Sequence, residues 1–96
     1  MPDSAPSSLV GVTVNLVYLA RLREVFGGSG ERLTLAAAEP TVGTLVAQLC
    51  ARGDPWSREL ASGRAFRVAV NHEVAGREAT LRDGDEVAFL PPVTGG

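Results

Sequence analysis

Ninety-six residues carrying a net charge of −2 and 45% apolar content allow one small domain, which buries only ~60–65% of its unfolded surface. The acidic balance argues against nucleic acid as the main partner, because no basic excess exists to neutralise phosphates. All nine basic residues are arginine, which excludes a lysine-dependent phosphate loop and leaves Gly27-Gly28-Ser29-Gly30 as a plain loop.

Residues 1–10, rich in Ser and Pro, read as a disordered leader. A strand is expected from Val12 to Leu19, with Val12, Val14, Leu16 and Tyr18 on one face. Val17 and Leu19 are apolar as well, so the far face is expected to be covered near that strand's end. Leu22, Val25 and Phe26 recur at helical spacing until Gly27-Gly28 stops them. Leu33 and Leu35 alternate in a second strand that returns beside the first. The main helix is expected from Thr41, an N-cap, through Val42, Leu45, Val46, Leu49 and Cys50 to Gly53. Asp54-Pro55-Trp56 starts a turn, with a further helical turn to Leu60. Phe66, Val68 and Val70 alternate in a third strand, and Val74 to Thr80 offers a weak, short one. Asp83-Gly84-Asp85 is a turn that launches a final strand from Glu86 to Leu90. One helix among short strands implies an α+β fold, a mixed sheet over 11–90 folded across that helix.

The run Pro91-Pro92-Val93-Thr94-Gly95-Gly96 is the most informative segment. Two prolines fix φ and forbid helix, so residues 91–96 are expected to leave the domain extended, with a reach of about 20 Å. The segment carries no charged side chain, and Gly95 and Gly96 have no Cβ. Such an end can thread a narrow channel and present its carboxyl carbon to another protein's active site. A buried final strand would anchor the tail's root and leave its tip free. Phe89 and Leu90 alternate on that strand, so one points in and the other out; the outward one is expected to contact a partner, with Pro91 to Thr94 continuing the contact.

The remaining candidates for chemistry have plainer explanations. Cys50, the single cysteine, falls on the apolar helix face, where it packs as a small hydrophobe; one cysteine also excludes an internal disulfide and suits a reducing compartment, the cytoplasm. His72, the single histidine, has no second imidazole to build a metal site and reads as a loop residue. Asp83 and Asp85 serve the turn, with docking against basic partner residues as the alternative reading for the cluster with Glu86. Trp56 reads as core or as a staple for its helical turn. No apolar stretch is long enough to span a membrane, so no membrane partner is expected.

The stretch from Arg67 to Gly96 resembles the small-subunit family of molybdopterin synthase (MoaD) in Ala69-Val70-Asn71, Leu81, Asp83-Gly84-Asp85-Glu86-Val87-Ala88-Phe89 and Pro91 to Gly96. The likeness extends more loosely to Tyr18-Leu19-Ala20-Arg21-Leu22-Arg23-Glu24, while Leu90 stands where many members have an aromatic. The resemblance implies a ubiquitin-like β-grasp fold and a carrier that is not catalytic alone. It also implies that a MoeB-like, ubiquitin-activating-like adenylyltransferase uses ATP to adenylate Gly96, and that a sulfur donor protein converts the adenylate to a thiocarboxylate. The tail would then enter the large subunit, MoaE, and give its sulfur to cyclic pyranopterin monophosphate. No bound cofactor and no metal are expected in the carrier itself. Carriers for thiamine or cysteine biosynthesis also end in Gly-Gly, and a ubiquitin-like protein modifier is an alternative from another class. Without lysine the chain offers no side-chain amine for conjugation to a copy of itself.

Overall fold

The computed structural model describes residues 11–60 and 66–90. The expected leader (1–10) and tail (91–96) therefore lie outside the described residues. In chain order the elements are β1 (Val12–Tyr18), α1 (Arg21–Val25), β2 (Gly30–Leu35), α2 (Val42–Cys50), α3 (Trp56–Leu60), β3 (Arg67–Val70), β4 (Glu73–Val74) and β5 (Glu86–Leu90). The strands form one sheet in the order β2-β1-β5-β3-β4. β1 runs antiparallel to β2 and parallel to β5, and β3 is antiparallel to both β5 and β4. This is the mixed β-grasp arrangement, with the last long strand in the middle.

Alternation explains which face is buried. Val14, Leu16 and Tyr18 on β1, Leu35 on β2, Val68 on β3 and Val87 with Phe89 on β5 all point to one side. There they meet Val42, Leu45, Val46 and Leu49 of α2, at i, i+3, i+4 and i+7, together with Leu22, Leu60 and Leu81, in one core. Burying each such Leu or Phe contributes ~1.5–3 kcal/mol relative to exposure.

Local chemistry sets the element ends. α1 stops in a Schellman arrangement: Gly27 has φ +80°, its amide bonds the Glu24 carbonyl at 3.3 Å, and the Gly28 amide bonds the Arg23 carbonyl at 3.0 Å. Thr41 caps α2, its Oγ1 accepting from the Thr44 amide. The first two amides of α2 find carbonyls from another segment, Val42 on Ala79 and Gly43 on Arg77, so the helix start is satisfied. That use explains why the weak strand expected over Val74–Thr80 is short. Its first residue pairs with β3, whereas 77–81 turns to the helix start, leaving Thr80 in an isolated bridge to Thr41.

The aromatic residues tie the helices to the sheet. Phe26 stacks on Trp56 with centroids 4.0 Å apart and meets Tyr18 edge-on at 4.9 Å. Arg52 lies over the Trp56 ring and grips Glu31 through two contacts of 2.8 Å. Glu31 also accepts from the Tyr18 hydroxyl at 2.6 Å. Trp56 is thus a half-buried staple between α1 and α2, in line with the sequence expectation. Burial and then the Glu31 hydrogen bond push the Tyr18 phenol far above its usual range, so it stays protonated. The Arg52 hydrogen bond, ahead of the other contacts, holds the Glu31 carboxyl below its usual range.

Candidate functional site

The root of the tail is the end of β5, and β5 is held on both sides. Phe89 sits opposite Tyr18 of β1 and opposite Val68 of β3. The Leu19 amide bonds the Phe89 carbonyl at 3.1 Å, and the Asn71 amide bonds the Glu86 carbonyl at 2.8 Å. The turn before β5 is fixed as firmly. Asp83 accepts from the Thr13 amide at 2.8 Å, while Asp85 accepts from the Arg82 amide and the Asn71 side chain. Both aspartates are therefore engaged within the domain, as their place in the turn implies. A six-residue tail, Pro91 to Gly96, follows directly from this anchored strand; those residues lie outside the described part of the chain.

Phe89 is the inward member of the final pair. It is fully buried between Tyr18 and Phe66, with centroids 6.1 Å from each, so it offers no surface to a partner and its place among the contact residues is corrected to core. The outward position falls to Leu90, which is half-buried.

The face that Leu90 occupies is the side of the sheet away from α2. By register, Gly30, Val17, Ala88, Ala69 and Val74 form one row across all five strands. Leu19, Leu90 and Arg67 continue the face at the tail root. The expected cover over the end of this face is not found among the described helices, whose buried apolar residues all join the core on the other side. Leu19 is 36% and Val74 72% exposed. Gly30 stands at the row's edge, where an added Cβ would collide with the backbone carbonyl oxygen of Leu16. Polar residues fill the opposite end, with Arg32, Asn15 and Glu86 in line.

The loop bearing Leu19 is held in place. Ala20 has φ 53° and ψ −129°, a conformation that disfavours any residue with a Cβ. Arg21 then pairs with the buried Glu59 of α3 through contacts of 2.6 and 2.9 Å, which raises the guanidinium pKa still further. The sequence signal for this surface was present as the second apolar set, Val17 and Leu19, on the strand's far side.

Other candidates gather no chemistry. Cys50 is a free, half-buried thiol packed against the core. His72 is exposed, with Nε2 3.9 Å from a Glu86 oxygen. Among the described residues no group of three His, Cys, Asp or Glu side chains converges as a metal site would require. An open groove of about 530 Å³ lies at the end of the sheet away from Leu90, between Val70, Glu73, Ala79 and Arg82. No described helix is long and apolar enough to cross a membrane.

Residues 16–96 match the ThiS family. The chain belongs to the ThiS family. It is 39% identical over 83 residues to the molybdopterin synthase sulfur carrier subunit of Escherichia coli, covering 86% of this chain and 99% of that one. A putative molybdopterin converting factor subunit 1 from Pyrococcus furiosus superposes with a TM-score of 0.74 at 28% identity, over 85% of this chain and 99% of the other. The crystal structure of SAMP1, a modifier protein from Haloferax volcanii, gives 0.70 at 28% identity, over 88% and 99%. These likenesses agree with the β-grasp architecture and with the family resemblance carried by the final strand and tail.

Proposed function

We propose that this protein is the sulfur-carrying small subunit of a molybdopterin synthase, acting in the cytoplasm, with Gly96 as the carrier site. The observation that carries this reading is the 39% identity to the Escherichia coli sulfur carrier subunit over 99% of that protein, in a chain whose central strand leads directly into Pro91 and on to Gly95-Gly96.

The chemistry follows from the tail's composition. A free carboxylate is a poor electrophile. In the proposed sequence, an oxygen of the Gly96 carboxylate attacks the α-phosphorus of ATP on an activating, MoeB-like partner, and pyrophosphate leaves. A persulfide of a donor protein then attacks the acyl carbon and expels AMP to give an acyl disulfide. A thiolate of that partner machinery attacks the donor-side sulfur, forming a disulfide with it and releasing the Gly96 thiocarboxylate. ATP is the partner's substrate, and the carrier holds no cofactor of its own. Gly95 and Gly96 pass through tight quarters into a MoaE-like large subunit, where the thiocarboxylate sulfur bonds to cyclic pyranopterin monophosphate. Water then cleaves the acyl–sulfur bond, leaving the sulfur on the pterin and restoring the Gly96 carboxylate. Leu90, Leu19 and Val17 supply the apolar grip outside the channel, and Pro91 and Pro92 limit the entropy lost when Val93 and Thr94 become ordered there.

The test is intact-protein mass spectrometry after incubation with ATP, the activating enzyme and a sulfur source. One terminal oxygen should be replaced by sulfur, and neither a chain lacking Gly95-Gly96 nor one extended beyond Gly96 should change. Sulfur acceptance by the shortened chain would refute the assignment of Gly96. Likeness to SAMP1 favours protein modification as the second reading; covalent adducts in cells that depend on Gly96 would support it.

A further inference from the structure

The geometry points to a partner surface in which an apolar strip is bordered by carboxylates, one meeting Arg67 and another meeting Arg32. This inference rests on the carrier reading and specifies the partner's chemistry at the docking face.

The arginines of the described chain fall into two groups. Arg21, Arg52 and Arg58 face carboxylates within the domain, on Glu59, Glu31 and Asp54. The other five, Arg23, Arg32, Arg67, Arg77 and Arg82, make no such pair among the described residues and are exposed, and of these Arg32 and Arg67 are the ones on sheet strands. Both stand on the open sheet face by alternation. Arg67 is the register partner of Leu90 on β3, so its stem flanks the outward leucine at the tail root. Arg32 is the register partner of Asn15 on the β2 edge, diagonally across the apolar row from Arg67. With strands ~4.8 Å apart and ~3.3 Å per residue, the two Cα atoms are about 20 Å apart. A standard interface of ~800 Å² per partner spans both positions in one footprint.

An unpaired guanidinium beside an apolar contact suits one partner chemistry. Its planar fork matches a carboxylate through two hydrogen bonds. Opposite charges at an interface rim steer encounter and fix orientation, and here they would orient the tail toward its channel. Among the described strand residues Glu86 is the acid on this face, and it stands at the end remote from Leu90. The face is therefore basic at the tail root and on the β2 side, which sets the sense in which a partner must dock.

The experiment measures association and dissociation rates with the molybdopterin synthase large subunit from the same source, at several salt concentrations. Arg67→Glu and Arg32→Glu should each weaken affinity by at least about tenfold, mostly through slower association, and flatten its salt dependence. Arg77→Glu should behave as wild type, since Arg77 lies in the segment that meets the start of α2. Circular dichroism checks that each variant is folded. Wild-type affinity and salt dependence in both open-face variants would overturn the inference. If Leu90→Ala still weakened binding in that case, the carrier reading would stand and only the charge pairing would fall. If the folded wild-type chain accepted sulfur but did not bind the large subunit, the molybdopterin synthase reading and this inference would fall together.

Discussion

Phe89 and Leu90 are neighbours on one strand, yet their alanine variants should fail in opposite ways. Phe89 is fully buried and touches Tyr18 and Phe66, so Phe89→Ala should cost ~3–5 kcal/mol through lost transfer energy and a cavity. A folded body of this size has a total stability of roughly 4–11 kcal/mol at ~0.05–0.15 per residue. The substitution thus removes a large part of it and lowers Tm by ~12–40 °C at about 4–8 °C per kcal/mol. Leu90 is half-buried on the open face, so Leu90→Ala should cost the fold about 1 kcal/mol or less. As a desolvated anchor it should instead lose ~2 kcal/mol of binding, about a thirtyfold weaker affinity for the large subunit. Urea denaturation followed by circular dichroism measures the first effect, and titration calorimetry at a temperature where both variants are folded measures the second. Unchanged affinity in Leu90→Ala would move the interface off the tail root. A Phe89→Ala protein of wild-type stability that no longer bound its partner would refute the inward assignment.

Cys50→Ala should lower stability by only ~0.5–1.5 kcal/mol, because the thiol is half-buried at the edge of the core; sulfur loading should be unaffected, and its loss in a folded variant would make Cys50 a relay. His72→Gly should stabilise the fold by ~0.5–1 kcal/mol in urea titrations. Asn71 and His72 have φ 50° and 75° between the paired Val70 and Glu73, a two-residue hairpin loop whose second position favours glycine. The pH dependence of stability should carry a signature of Glu31, whose folded pKa is depressed chiefly by the Arg52 hydrogen bond. Its contribution is present in full above the unfolded carboxylate value of ~4.3 and is lost as pH falls through the lower folded value. Thermal unfolding from pH 6 to 3 should therefore decline less steeply in Glu31→Gln, and parallel curves would refute this role.

The periodicities alone determined most of the fold. Val14, Leu16 and Tyr18 alternate, and Val42, Leu45, Val46 and Leu49 follow a helical stripe with Thr41 ahead of it. Each pattern is local and strong enough to specify an element and its buried face. The family resemblance carried by Asp83 to Phe89 and the tail was legible for the same reason, being written in contiguous residues. Which of Phe89 and Leu90 faces the core was not, because alternation fixes that they differ but not which is which. Only pairing of β5 between β1 and β3 settles it, by placing Phe89 opposite Tyr18 and Val68. The brevity of β4 was equally hidden, since the carbonyls of Arg77 and Ala79 are drawn to the amides of Gly43 and Val42, far away in sequence. The open face was the largest thing that tertiary structure decided. Val17 was visible in its own segment, but Ala88, Ala69 and Val74 come from three other strands where none is conspicuous, and the four become one surface because the strand order and register line them up on the side that α2 does not cover.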